Sequence, residues 1–276
     1  MSYATVMVSL ALNQSNDARL EIAGQLAERF DARIIGITAG LFSPPLYYTM
    51  GEQAQRLLDQ GHASLRRRID ELEAQFRAAM HARAKSAEWR CAADFPARYV
   101  VREARAADLV VTGQDSADAV ADPFELASPG DLVMQAGRPL LVVPETGNWL
   151  DLRRIMVAWK DTAEARRAIV DALPMLREAS DVTVVEILEE EVDRAAATIG
   201  VNDVVGWLSA HGVVATAQVP GERGDAAGRL ERLASELGAG LIVAGAYGHS
   251  RLREWLLGGV TKRLLSPSGR CSLLSR

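Results

Sequence analysis

Short apolar runs of strand length alternate with longer segments of helical spacing along the whole chain. In the second half, RIMVAW (Arg154–Trp159) reads as a strand and TAEARRAIVDALPMLREA (Thr162–Ala179) as a helix. DVTVVEIL (Asp181–Leu188) is the next strand, and VNDVVGWLSAHG (Val201–Gly212) is a helix stopped by glycine. VATAQVP (Val214–Pro220) follows as a strand and GDAAGRLERLASELG (Gly224–Gly238) as a helix, again ended by glycine. GLIVAG (Gly240–Gly245) is apolar on both faces, the pattern of a strand covered by helices on two sides. After it, SRLREWLL (Ser250–Leu257) has room for a short helix, VTKRLL (Val260–Leu265) can start another, and RCSLLSR (Arg270–Arg276) closes as a strand. Alternation at these lengths predicts parallel strands joined by right-handed crossovers, an α/β fold with a doubly wound sheet.

The chain states this pattern twice. ADLVVTGQDS (Ala107–Ser116) corresponds to AGLIVAGAYG (Ala239–Gly248), and an offset of 132 positions sets Gly113 opposite Gly245 and Arg138 opposite Arg270. GRPLLVV (Gly137–Val143) continues the match against GRCSLLS (Gly269–Ser275). The front ends also agree: TVMVSLALNQSNDAR resembles RIMVAWKDTAEARR at an offset of 149 that slips to 147. The first half differs in its longer second connection. There Leu58, Leu65, Ile69, Leu72, Phe76 and Met80 keep the spacing of an amphipathic helix of several turns. PETGNWLDLRR (Pro144–Arg154) has turn residues and no periodicity, so the expected domains are residues 1–146 and 152–276, two tandem doubly wound units.

Composition narrows the function. Apolar residues at 49% and charged residues at 24% are the balance of a globular protein. A net charge of −5 leaves no basic surplus for a nucleic-acid backbone, so no nucleic-acid partner is expected. No apolar run approaches the roughly 18 residues of a membrane span, and the N-terminus has no basic segment before an apolar one. The two cysteines, Cys91 and Cys271, make no disulfide framework, and a reducing cytoplasmic setting is expected. His62, His81, His211 and His249 lack ligand spacing, so no metal site is expected. Phosphate-loop, dinucleotide-fold and serine-hydrolase motifs are all absent, and no catalytic residue is expected.

What remains is GAYGHSRLREWLLGGVTKRLL (Gly245–Leu265). Its first glycines close an apolar strand, at the edge where open parallel sheets bind ligands. Glycine there lets backbone N–H groups approach an anion, and Gly258 and Gly259 stand before a helix start that offers more of them. The same glycines also fit a strand-end turn and a helix C-cap, and spacing alone leaves both open. The repeat helps to separate them. The equivalent stretch GQDSADAVADPFELASPGDLV keeps Gly113 but has Ser116, Leu126 and Ala127 where the second half has Gly248, Gly258 and Gly259. The architecture itself does not demand those three glycines.

The element order, the duplication and the spacing G-x2-G-x9-G resemble the universal stress protein family in its tandem form, over nearly the whole chain. The resemblance implies the adenine nucleotide α-hydrolase-like fold and ATP, alone or with Mg, held by the glycines and the residues after them. Carried over, the nucleotide residues are Gly245, Gly248, Gly258, Gly259, Val260 and Thr261. Gly259 stands where the family has Ser or Thr, and Thr261 offers a hydroxyl two positions on. At the family's aspartate after the first strand the chain has Lys160, followed by Asp161. Asp161 can contact a ligand or, with Glu164 three residues on, cap the next helix. The first half has Ala11 there and the acids Asp115, Asp118, Asp122, Glu125 and Asp131 around its loop, which would repel a polyphosphate. One adenine nucleotide per chain is therefore expected, in the second half.

In this family the last strand commonly pairs between domains. The resemblance thus implies an intrachain pseudo-dimer, with chains then assembling as a homodimer. The functional expectation is a cytoplasmic, non-catalytic stress-response protein that senses an adenine nucleotide. The alternatives are a nucleotide-free assembly or partner-binding module of the same fold and, last, an enzyme of the α-hydrolase type.

Overall fold

The computed structural model describes residues 2–42, 52–115, 122–188, 193–221, 225–246 and 259–276. The first half runs β1 (Thr5–Ser9), α1 (Asp17–Phe30), β2 (Arg33–Ala39), α2 (Glu52–Met80), β3 (Ala87–Ala92), α3 (Pro96–Glu103), β4 (Leu109–Gly113), α4 (Pro129–Gln135) and β5 (Leu140–Val143). The second runs β6 (Arg154–Ala158), α5 (Ala163–Leu176), β7 (Asp181–Val185), α6 (Arg194–Ala210), β8 (Ala215–Gln218), α7 (Ala226–Glu236), β9 (Leu241–Gly245), α8 (Gly259–Leu265) and β10 (Cys271–Ser275).

The ten strands among the described residues form one sheet, ordered β3-β2-β1-β4-β5-β10-β9-β6-β7-β8. Within each half every pairing is parallel, and the two halves meet through one antiparallel pair, β5 with β10. Leu273 lies opposite Leu141 and Leu274 opposite Leu140. The pseudo-dimer within the chain is thus a continuous sheet. RCSLLSR is less apolar than its counterpart RPLLVVP, because serines interrupt it. In place, all of β10 is buried, since its two serines sit mid-sheet under both helical layers. Apolar residues of α1, α2, α5 and α6 form one core layer, those of α3, α4, α7 and α8 the other.

Several elements depart from the expected bounds, most by a few residues. The helix predicted from Val201 begins at Arg194, because Asp193 accepts a hydrogen bond from the Ala195 N–H at 3.1 Å and caps it there. Its added turns carry few buried residues, so no apolar periodicity announced them. The strand expected to reach Leu188 ends at Val185. The helix expected at Ser250–Leu257 lies outside the described residues.

The sheet sets the two thiols apart. Cys91 is exposed on the edge strand β3, whereas Cys271 is buried in β10 and burial pushes its thiol up to about 12. A thiol reagent at neutral pH is therefore expected to modify one cysteine per native chain, at Cys91, and both in denaturant. Two native-state equivalents would show that β10 is not seated as described.

Candidate functional site

The second half runs β6, β7, β8 outward and then returns to place β9 on the other side of β6. The connections leaving β6 and β9 therefore diverge. Residues of α5 join one core layer and those of α8 the opposite one. A crevice opens between such strands at their carboxyl ends, where open α/β sheets take ligands. Ala158 pairs with Ala244, so Gly245 and Trp159 come next on neighbouring strands, with Lys160 one position beyond.

Three charged side chains share this edge. Lys160 is half-buried, Asp161 is exposed, and Glu186 follows the last residue of β7. Burial and the field of Asp161 push the Glu186 carboxyl above its ordinary range, while Lys160 opposes them. Trp159 is buried at the root of the crevice, its backbone N–H donating to the Val185 carbonyl at 2.8 Å. Its indole nitrogen has no hydrogen-bond partner among the described residues.

Asp161 does not cap α5. Thr162 does, its hydroxyl accepting from the Ala165 N–H at 3.3 Å from an extended backbone. The hydroxyl one residue on has the N-cap geometry, so the carboxylate swings out and pairs with Arg166.

Gly245 has a structural duty of its own. A Cβ there would lie 2.5 Å from the Ala165 nitrogen and 2.7 Å from the Glu164 carbonyl carbon, because the first turn of α5 packs directly on this strand end. Gly259 opens α8 with no atom of the described residues within 4 Å of where a Cβ would stand, Val260 is half-buried, and Thr261 is buried at 4% exposure. Gly248 and Gly258 lie outside the described residues.

The first half fills the equivalent position. Arg19, only 6% exposed, lays its guanidinium on Gly113 so closely that a Cβ would stand 2.2 Å from one of its nitrogens. It donates to Asn16 Oδ1 and to Gln14 Oε1, both at 2.6 Å, and Asn16 is tied to both backbone groups of Ala11. Burial pulls the guanidinium down to about 10, partly offset by the field of Glu145. In α5 the equivalent third position is Ala165, whose backbone packs on Gly245, and Arg166, the next residue, has a side chain 59% exposed that pairs with Asp161. At one switch point an arginine side chain covers the strand-end glycine, and at the other the matching residue is an alanine.

A groove of about 620 Å³ lies elsewhere, between α1, α2 and residues 145–148. Asp17, Glu21 and Glu145 line it, which disfavours a phosphate.

No family model and no curated protein sequence matches the chain. Solved structures do. A universal stress protein from Archaeoglobus fulgidus DSM 4304 superposes with a TM-score of 0.72 at 14% identity, over 99% of this chain and 98% of that one. The chain has the universal stress protein fold, built twice into one sheet. A protein of unknown function from Pseudomonas aeruginosa PAO1 superposes with a TM-score of 0.62 at 14% identity, over 99% of this chain and 92% of that one. A candidate universal stress protein from Pseudomonas aeruginosa UCBPP-PA14 gives 0.61 at 13% identity, over 99% and 93%. Both halves of this chain thus take part in the universal stress protein fold.

On that fold Lys160, Asp161 and Gly245 come to one strand edge, while Gly259, Val260 and Thr261 belong to α8 behind β9. Sequence reasoning passed over Glu186, Trp159 and Arg19. The acid at the end of a strand next in order to β6 was a usable signal for Glu186. The repeat sets Arg19 against Arg166 in sequence, whereas the helices match Arg19 with Ala165.

Proposed function

We propose that the chain is a universal stress protein whose second half binds ATP or another adenine nucleotide without catalysing its turnover. The observation that carries this is the contrast between the two switch points. The first is closed by Arg19 over Gly113, and at the second the matching residue is Ala165, whose side chain is only a methyl group. The residues at the second edge fit the ligand. Carboxylates of Asp161 and Glu186 can accept ribose hydroxyls, and the Lys160 ammonium offers phosphates a counter-charge. Backbone N–H groups at Gly245, Gly248, Gly258 and Gly259, with Val260 and Thr261, would complete the phosphate loop. The described residues contain no group of three or more His, Cys, Asp or Glu able to hold a metal. Mg, where it accompanies the nucleotide, would be carried by the phosphates.

The role that follows is sensing of nucleotide state in a stress response, in the cytoplasm, with chains pairing as homodimers. Both cysteines are free, in keeping with a reducing compartment. Among the described residues no helix is long and apolar enough to cross a membrane.

Titration with fluorescent ATP tests the proposal. The wild type is expected to bind, and a Gly248→Val, Gly258→Val variant to bind about tenfold more weakly or not at all. Equal binding by the two removes the phosphate-loop assignment. The nucleotide-free module is favoured by one observation: Asp161 is already engaged by Arg166 and Gly245 by the packing of α5. A wild type that binds no adenine nucleotide would establish that reading instead.

A further inference from the structure

The two halves touch at a place that their symmetry does not require. Gln114, immediately after β4, reaches across to the segment after α8. Its side-chain N–H donates to the Ser268 hydroxyl at 2.8 Å, and its side-chain oxygen accepts from the Ser268 backbone N–H at 3.0 Å. The Ser268 hydroxyl in turn donates to the Arg270 carbonyl at 3.2 Å. Beside this pair the Asp115 N–H donates to the Leu265 carbonyl at 3.0 Å. Leu265 is the last residue of α8, so its carbonyl is one that the helix cannot satisfy internally. The first half satisfies it.

The duplication makes a control available. At the offset of 132 positions Gln114 corresponds to Ala246 and Ser268 to Ala136. Neither alanine carries a polar group, so the reciprocal side-chain clamp does not exist. The end of α4 is met instead by the exposed Arg276, which donates to the Met134 carbonyl at 3.0 Å. Of two related positions, only the one that holds α8 has the two-way amide–hydroxyl pair.

That matters because α8 is short, seven residues from Gly259 to Leu265. A helix of this length has no stability of its own and stays where tertiary contacts put it. Its contacts are the buried Thr261, Leu264 and Leu265, a packing against α7, and the clamp at its carboxyl end. Gly259, Val260 and Thr261 at its other end belong to the proposed nucleotide loop.

We infer that the first half positions the second half's site through this clamp, with Gln114 as a positioning residue for α8. The half whose own crevice is closed by Arg19 thereby sets the affinity of the other. As far as ligand affinity is concerned, the inference rests on the nucleotide reading above. As a statement about α8 it stands separately.

Gln114→Ala, Gln114→Glu, Ser268→Ala and the Gln114→Ala, Ser268→Ala pair in the full chain test it. Two measurements are made on each: amide hydrogen exchange across Arg263–Ser266, and fluorescent ATP affinity. Losing the clamp is expected to speed exchange there about five- to tenfold and to weaken ATP binding. Gln114→Glu is expected to fall between wild type and Gln114→Ala, because its carboxylate still accepts from the Ser268 N–H but can accept the Ser268 hydroxyl only by taking its proton from the Arg270 carbonyl. The pair is expected to be worse than Gln114→Ala alone by no more than the Ser268–Arg270 bond, and to be less than the sum of the two single effects, as two ends of one contact are. Unchanged exchange in Gln114→Ala overturns the inference. So does faster exchange with unaltered ATP affinity, which would make the clamp a purely structural contact. If the wild type binds no ATP, the nucleotide reading falls and exchange alone judges the clamp. Should Gln114→Ala fail to fold, Ser268→Ala and Gln114→Glu still carry both measurements.

Discussion

Gly245→Ala is expected to destabilise the protein by about 2–3 kcal/mol, the upper range for forcing a group into a filled site. The obstacle is backbone, the Ala165 nitrogen at 2.5 Å and the Ala165 Cα at 2.9 Å from the added Cβ. Neither atom can move unless α5 shifts as a unit, and that helix buries Ala165, Ala168, Ile169, Ala172 and Leu173 against the sheet. Gly113→Ala is the internal comparison. There the obstacle is the far end of the Arg19 side chain, which can swing away at the cost of its two hydrogen bonds. Urea unfolding midpoints are expected to fall further for Gly245→Ala than for Gly113→Ala, with unchanged slopes. The reverse order would mean that α5 does not rest on Gly245. The result also decides how the nucleotide proposal is tested. A substitution at Gly245 lowers binding by loosening the fold, so Gly248 and Gly258 are the informative positions.

The fold was legible because it rests on periodicity, and periodicity is stated twice. Each apolar run that the sequence marks as a strand in the second half is one of β6 to β10, and the repeat transfers the order to the first half. The antiparallel seam was expected only through the family resemblance, since β10 is polar enough to pass for a surface strand. Its burial comes from position in the sheet, which pairing decides and composition does not. The start of α6 was missed for a related reason. A helix that lies on the surface with Ile199 at 64% exposure gives no apolar face to detect.

The site was legible in place but not in contacts. Glycines at the end of an apolar strand pointed to one sheet edge as the candidate, and topology put Lys160 beside Gly245 there. The competition between Asp161 and Thr162 for the cap of α5 turned on a single residue. Both side chains can cap, and the choice depends on which backbone position is extended. Arg19 was less accessible still. The repeat sets Arg19 against Arg166 in sequence, but Arg19 is the third residue of α1 and Arg166 the fourth of α5, so one faces the sheet and the other solvent. Their partners follow from that register. Gln14 and Asn16 supply neutral oxygens to the first, and Asp161 draws the second outward.

Leu273→Ala is expected to lower stability by about 2–5 kcal/mol and to do so in both halves at once. Leu273 is fully buried in β10, which pairs with β9 of its own half in parallel and with β5 of the other half antiparallel. Its cross-strand neighbour in β5 is Leu141, equally buried, so a cavity at this position opens to both sides of the seam. The seam is reinforced away from the strands. The Tyr3 hydroxyl donates to the Asp171 carbonyl at 2.6 Å, and Arg29 meets Glu178 at 3.4 Å, each joining the first half to the second. With shared core and shared ladder, neither half can open alone without exposing apolar surface of the other. Native-state hydrogen exchange by mass spectrometry separates the possibilities. Protection of the β1 and β4 amides is expected to fall by the same free energy as that of β6 and β9. Loss confined to β6 and β9, or two resolved urea transitions, would show that the halves fold as independent units joined only by contact. A uniform loss would show instead that the seam makes one cooperative body, the condition under which a clamp such as Gln114 can act from one half on the other.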